Sequence, residues 1–347
     1  MGHGDGNKGA VTYKGRRMAK QQSVLVMGEM HGEHLSTTTA EVIAAGRHLA
    51  QQAGIELAVG LLGKELASAA QEALHAGADC VYTAADALLD PPQADLYLAA
   101  ATELCKTVSP NIILLARTAL GREVAPRLAC RLGTGLLQDC LDVAIDAASG
   151  RLTATRPVYG GSVLARVRCK TTPQVATLRP KAYAPLTPDP TRQGEVIPVP
   201  VRLDASMGKV TVVRREINES PGVKLEDARI VVAGGRGLGG PEPFTELQEL
   251  AGVLGAAIGA SRAAVDAGWV PGNWQIGLTG KTITPELYIT VGISGASQHM
   301  AGCSHAKVIV AINKDRDANI FREARYGVVG DWQTVIPAFM EAVRELT

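Results

Sequence analysis

Aromatic residues are scarce, at 4% of 347 positions, and net charge is nearly absent, with 35 basic residues facing 34 acidic ones. So few aromatics disfavour an aromatic-rich β-sandwich and a stacking platform for single-stranded nucleic acid. A net charge of +1 offers no overall attraction to a polyanion, so no nucleic-acid partner is expected. No run of about 18 uncharged apolar residues occurs, so no transmembrane helix is expected. The cysteines at 80, 105, 130, 140, 169 and 303 form no C-x-x-C pair, so no zinc or iron–sulfur site is expected, and no other metal. They read as small, mostly buried hydrophobes kept reduced in a cytoplasm-like compartment; a mitochondrial matrix is disfavoured because the basic head has few arginines and poor amphipathic periodicity. Residues 1–21 are glycine-rich and basic, with five Lys or Arg against Asp5. They lack the apolar stretch of a secretory signal and read as a flexible extension.

What the chain does have is glycine, 38 residues, and hydrophobic residues at 46%, an ordinary globular balance. From residue 23 to about 132, short apolar runs alternate with helical spacing. Strands are expected at Ser23–Met27, Ile55–Leu62, Asp79–Thr83 and Ile112–Ala116. Helices are expected at Thr38–Ala53, Glu65–Ala76, Ala94–Val108 and Gly121–Leu132. This alternation implies a parallel sheet covered on both faces. Short β-rich segments follow at Leu152–Tyr159, Val163–Cys169, Gln174–Thr177 and Val210–Ile217. Six prolines between Arg179 and Pro200 predict an extended surface connector. After a break at Glu219–Gly222 a second α/β pattern begins: strands at Arg229–Ala233, Leu287–Val291 and Lys307–Ile312, helices at Phe244–Leu254 and Trp332–Leu346. The chain is therefore expected to be α/β with two domains. Residues 22–222 form a parallel-sheet domain with added strands, and 223–347 form a Rossmann-like domain.

Chemistry concentrates in the second pattern. Gly235, Gly237 and Gly240 satisfy G-x-G-x-x-G after a strand, where backbone amides can approach a pyrophosphate. Pro241 and Pro243 delay the helix, and the next strand-like run ends in Ser261-Arg262 with no acid for a ribose. Phosphate binding and a connection that needs glycine for its backbone angles both stay open. Gly277–Thr282 resembles the end of a Walker A loop, but Gln275 stands where the leading glycine is required. The run Val291–His299 follows a strand and supplies amides, Ser294, Gln298 and His299 along a many-acceptor ligand. His31 and His34 lie near Glu29 and Glu33 without a third distant ligand and read as a solvated loop. No G-x-S-x-G elbow or nucleophilic triad is present, which disfavours hydrolase chemistry.

These motifs together carry a resemblance. GGRGL at 234–238, GASRAAVDAG at 259–268, TGK at 279–281, LYITVGISGASQH at 287–299, AINKD at 311–315 and YGVVGD at 326–331 resemble the α subunit of electron transfer flavoproteins. SVLVMGE at 23–29, GREVAPRLA at 121–129 and RPVYGG at 156–161 extend the resemblance to about residues 22–346. It implies a heterodimer with a β subunit, the N-terminal domain packing on that partner and the C-terminal domain binding FAD. AMP or a second FAD is implied for the partner. Arg236, Ser261 and Ser294 would serve the phosphate end, Asn313 and Asp331 the adenosine portion, and Gln298 the ribityl and phosphate section. Arg262, Thr279 and His299 would surround and tune the isoalloxazine ring. Gly237, Gly277, Leu278, Gly295, Ala296, Ser297 and Trp332 complete the implied cofactor-binding set. Leu278 stands where many members have Gln, and Ser297 replaces a usual Ile or Val.

The resemblance implies an electron carrier rather than a substrate-converting enzyme. It would accept electrons from acyl-CoA dehydrogenase-type flavoproteins and pass them to an acceptor such as a membrane quinone oxidoreductase. An electron-bifurcating, NADH-oxidising relative is the near alternative. A free-standing NAD(P)-dependent dehydrogenase is the alternative from another class.

Overall fold

The computed structural model describes residues 22–159, 163–210, 212–213, 224–226 and 228–346. The chain divides into two compact units, Met1–Arg156 with Arg166–Val213, and Pro157–Ala165 with Arg214–Thr347.

The first unit starts with β1 (Ser23–Gly28), a hairpin of β2 (Met30–His31) and β3 (His34–Leu35), α1 (Thr37–Ala53) and β4 (Glu56–Gly63). Next come α2 (Ala67–His75), β5 (Cys80–Ala85), α3 (Ala94–Val108), β6 (Ile112–Ala116) and α4 (Ala119–Arg131). Then follow β7 (Leu136–Cys140), β8 (Asp142–Asp146), β9 (Arg151–Val158), β10 (Val163–Arg168), β11 (Gln174–Leu178) and β12 (Glu195–Pro198). Seven strands form one parallel sheet in the order β12-β5-β4-β1-β6-β11-β7. Three more, β10-β9-β8, form a small separate sheet.

Strand alternation explains why the central strands read as unbroken apolar runs. In β1, Val24 and Val26 enter one core with Val42, Leu49, Leu57 and Leu114. Leu25 and Met27 enter the opposite core with Leu98, Leu104, Ile113 and Val124. A parallel strand with helices on both faces has no polar side to show. Local caps set where the helices begin. The Ser36 hydroxyl accepts from Thr39 N–H at the start of α1, and the Thr118 hydroxyl accepts from Gly121 N–H at the start of α4.

The second unit contains β13 (Ile230–Gly234), α5 (Pro243–Val253), β14 (Ala257–Ser261), α6 (Arg262–Asp266), β15 (Gln275–Ile276) and β16 (Leu287–Val291). After these come α7 (Ser297–Met300), β17 (Val308–Asn313), α8 (Ile320–Glu323), β18 (Tyr326–Val329) and α9 (Trp332–Leu346). Its six strands are parallel in the order β15-β14-β13-β16-β17-β18. The two-domain α/β architecture with two parallel sheets follows the sequence expectation.

Most expected elements are present within two or three residues. Two differences have physical reasons. The proline-rich connector ends in a strand, β12, at the sheet edge beside β5. Pro198 is tolerated there because an edge strand leaves one backbone side unpaired. Strands β7 and β8 carry Gln138, Asp139, Asp142 and Asp146, so their polar content hid them. Asp139 is buried because two Arg179 nitrogens donate to its carboxylate at 2.9 and 2.7 Å. Arg117 adds a third guanidinium nitrogen at 3.1 Å. The expected strand Val210–Ile217 lies largely outside the described residues, and residues 210, 212 and 213 are not in a strand. The Gly160-Gly161 turn, the break at 219–222 and the basic head at 1–21 also lie outside the described residues.

The tightest backbone approach in the first unit is at Gly121, where a Cβ would stand 1.9 Å from the Ala116 carbonyl oxygen. Gly121→Ala should cost about 2–3 kcal/mol, because α4 must move off β6. Urea unfolding should show a lower midpoint, and a midpoint equal to the parent's would show that α4 slides freely.

Candidate functional site

The parallel strands of the second unit all end on one edge. Gly234, Ser261, Ile276, Val291, Asn313 and Val329 are the final residues of β13 to β18 in chain order. Successive connections run from β13 to β14 and β15 on one side and to β16, β17 and β18 on the other. The switch point therefore lies between β13 and β16, where ligands of open α/β sheets bind.

At that switch point the two loops touch backbone to backbone. Gly235 N–H donates to Val291 O at 2.8 Å, and Gly237 N–H donates to Gly292 O at 3.0 Å. A Cβ at Gly235 would lie 2.3 Å from the Gly292 oxygen, and one at Gly237 would lie 2.8 Å from it. Gly292 itself has φ +64 and meets the Gly237 backbone in return. The glycine spacing thus answers first to this loop–loop contact. Beside it, a cleft of about 200 Å³ is lined by Gly237, Gly292, Asn313, Asp331, Trp332 and Gln333, among others.

The expected residues divide into groups. Gly237, Asn313, Asp331 and Trp332 share that cleft. Asn313 Nδ2 donates to Ile293 O at 2.9 Å, while its Oδ1 accepts from Asp315 N–H at 3.0 Å. Asp331 accepts from Gln333 N–H at 3.0 Å and is exposed. Arg236 and Ser294 are also exposed, each on one of the touching loops. The Ser294 carbonyl accepts from Ile320 N–H at 3.0 Å, which packs buried Gly295 on α8. Ala296 caps α7, and Ser297 and Gln298 form its first turn.

Ser261 ends β14 beside Ile276 of β15, and Arg262 opens α6. Arg262 is two-thirds exposed, with Nε 3.1 Å from Asp266 Oδ2. Gly277 and Leu278 are tied to α7, since Leu278 N–H donates to Gln298 O at 2.7 Å. The Thr279 hydroxyl accepts from Gln275 Nε2 at 2.9 Å. Leu278 is 36% exposed, an apolar surface position where a polar residue would be usual.

His299 differs from the expectation of a ring-edge donor. It is buried, with Nδ1 3.1 Å from the Ile276 carbonyl and Nε2 2.8 Å from the Tyr288 hydroxyl. A carbonyl only accepts, so Nδ1 bears the proton and Nε2 accepts from Tyr288. Both ring nitrogens are thus engaged within the protein. Burial holds the imidazole well below its usual range, at about 4, against a smaller opposing effect of the Ile276 carbonyl. Tyr288 was not singled out from the sequence. Its signal was present all the same: a tyrosine within a fully buried strand needs a partner for its hydroxyl.

One buried polar atom of the site has no partner among the described residues, the Ser261 hydroxyl. A donor left in this state favours a ligand that brings acceptor oxygens. Ser261, the amide-rich loops at 235–239 and 292–296, and the neighbouring Arg236 fit the phosphates of a dinucleotide such as FAD. The 200 Å³ cleft fits a portion of such a ligand.

The protonation state of His299 has a measurable consequence. Its folded value of about 4 lies below the ordinary 6.5, so the unfolded chain binds more protons in between. Stability is therefore complete above pH 6.5 and declines as pH falls toward 4, by about 3 kcal/mol in total. Comparing urea midpoints at pH 7 and pH 4.5 should show His299→Gln losing less stability on acidification than the parent. Parallel losses would rule His299 out as the source.

Known proteins resemble the chain over nearly its whole length. The electron transfer flavoprotein domain model matches residues 24–204, and the electron transfer flavoprotein FAD-binding domain model matches residues 224–304. The chain is 40% identical to the electron transfer flavoprotein subunit alpha of Thermoanaerobacterium thermosaccharolyticum, over 95% of this chain and 100% of that protein. It is 43% identical to the subunit alpha of Bacillus subtilis, over 94% and 98%. It is also 43% identical to protein FixB of Azorhizobium caulinodans, over 88% and 84%. With both domains matched in order across nearly the whole chain, the protein belongs to the electron transfer flavoprotein subunit alpha family.

Proposed function

We propose that this chain is the α subunit of a heterodimeric electron carrier and holds one FAD at the C-terminal strand edge of its second unit. The observation that carries this reading is the Ser261 hydroxyl, buried without a partner among the described residues and beside loops rich in backbone donors. When bound, FAD would supply the redox chemistry. The chain's own residues bind and orient it. Arg236, Ser261 and Ser294 serve the phosphates with Gly237, Gly295 and Ala296, while Asn313, Asp331 and Trp332 hold the adenosine end. Gln298 and Ser297 follow the section between them. Arg262, Thr279, Gly277 and Leu278 form the ring end, with His299 buried behind them, and the Arg262 charge there favours a reduced, more negative ring.

Electrons come from acyl-CoA dehydrogenase-type flavoproteins and leave to an acceptor such as a membrane quinone oxidoreductase. The domain of residues 22–222 packs on the β subunit, which carries AMP, and residues 223–347 hold the FAD. The cytoplasm is the proposed location, in keeping with six free thiols.

The direct test is to purify the chain with its β subunit, count flavins and record visible spectra. One FAD and one AMP per heterodimer is the expected result. Two FAD with reduction by NADH would replace this reading with a bifurcating complex, and no flavin would overturn both. Ser261→Ala supplies a second test. It should leave the flavin-free chain as stable as the parent, or slightly more so, because it removes an unsatisfied hydroxyl. FAD affinity should fall roughly tenfold, since a hydrogen bond to a charged group is lost. An unchanged affinity would remove Ser261 from the phosphate set.

A further inference from the structure

Tyr288 lies on β16 with none of its side chain exposed, its ring 6.2 Å from the His299 imidazole at 25° between planes. Its hydroxyl donates to Nε2, and the thiol of buried Cys303 lies against the same hydroxyl. On its other side the imidazole donates from Nδ1 to the carbonyl of Ile276. Ile276 is the residue just before the Gly277–Thr279 loop. A continuous chain of hydrogen bonds therefore runs from the centre of the sheet, through one neutral imidazole, to the start of that loop.

The loop is also tied to β15: Gly277 N–H donates to Lys281 O at 3.2 Å, Lys281 N–H donates to Gln275 O at 2.7 Å, and Gln275 Nε2 donates to the Thr279 hydroxyl at 2.9 Å. Leu278 N–H donates to Gln298 O, and Gly280 N–H donates to Gly277 O at 3.1 Å within the turn. Gly302 and Gly277 approach so closely that a Cβ at Gly302 would lie 2.5 Å from the Gly277 backbone. The loop thus rests directly on α7 and the turn after it, and the Ile276–His299 bond sets its height from below. The exposed side chains at the tip are Leu278 and Thr279, and only Thr279 carries a polar group.

We propose that Tyr288 is a positioning residue of the flavin site, acting through His299 and the Ile276 carbonyl to hold Thr279 in place. This inference rests on the FAD reading above. His299 is the brace in this arrangement, and its fixed tautomer gives the bond its direction. Without the Tyr288 hydroxyl, Nε2 is left as a buried acceptor with no donor. The imidazole can then turn, and the loop keeps only its attachments to β15 and α7.

The test uses the full chain with its β subunit and has two arms. In the flavin-free protein, ¹⁵N-histidine spectra at pH 7 should show one residue, absent from His299→Gln, protonated at Nδ1 and unprotonated at Nε2. Tyr288→Phe should shift that Nε2 signal toward the position of a free acceptor. A parent protein protonated at Nε2 would overturn the proposal without any variant having to fold. In the second arm, FAD dissociation constants are measured for Tyr288→Phe, Thr279→Ala and the pair. Tyr288→Phe should weaken binding about tenfold in the parent and no more than about threefold once Thr279 is Ala, because the two act along one path. Effects that simply multiply would overturn the proposal, since general loosening of the core gives independent losses. If the parent complex binds no FAD, the functional reading fails, and the spectra alone decide whether Tyr288 holds His299.

Discussion

Backbone contact between the loops after β13 and β16 is the constraint on which the strand-end edge of the second unit depends. Two hydrogen bonds join Gly235 and Gly237 to Val291 and Gly292. Any side chain on these glycines would push the loops apart. Because the contact falls at the switch point of a parallel sheet, it brings amide-rich backbone from two strands to one place. Arg236 and Ser294 then lie on adjoining loops, and the cleft bounded by Asn313, Asp331 and Trp332 opens beside them.

The two units meet the cost of buried polar groups differently. In the first, Asp139 is fully engaged by Arg179 and flanked by Arg117, so a charge buried at the sheet end is matched by charge. Glu29 is also largely buried, and burial raises its carboxyl although the Thr118 hydroxyl donates to it. In the second, His299 is neutral and shares its two nitrogens between a tyrosine and a carbonyl. Among the described residues, Ser23, Arg117 and Arg156 of the first unit and Ser261 of the second each bury a polar atom without a hydrogen-bond partner, and of these only Ser261 lies at the strand-end edge of the second unit. A group that costs stability in the isolated fold and gains a partner from a ligand is a reasonable mark of a binding site.

Much of the fold was legible because parallel strands buried on both faces must be apolar throughout. Ser23–Gly28, Ile112–Ala116 and Leu287–Val291 stand out for that reason. Strands β7 and β8 did not, since their acidic residues are matched by groups distant in sequence, such as Arg179 for Asp139. The proline-rich segment looked like a connector because proline is a local signal, whereas an edge position is a property of the whole sheet. At the site, the glycines and the Ser294–His299 run could be read directly. The reason for those glycines could not, because it lies in a loop more than fifty residues away.

The sequence by itself determined the alternation of strands and helices, the two-part α/β plan and the polar residues following each strand of the second part. These follow from local periodicity and composition, which each segment carries with it. Tertiary structure alone decided which polar groups are satisfied and which are left open. Ser261 and His299 look equally suited to a ligand in the sequence, yet one is buried without a partner and the other is held by Tyr288 and Ile276. Hydrogen-bond satisfaction depends on what the fold brings within about 3 Å, and residues far apart in the chain supply it.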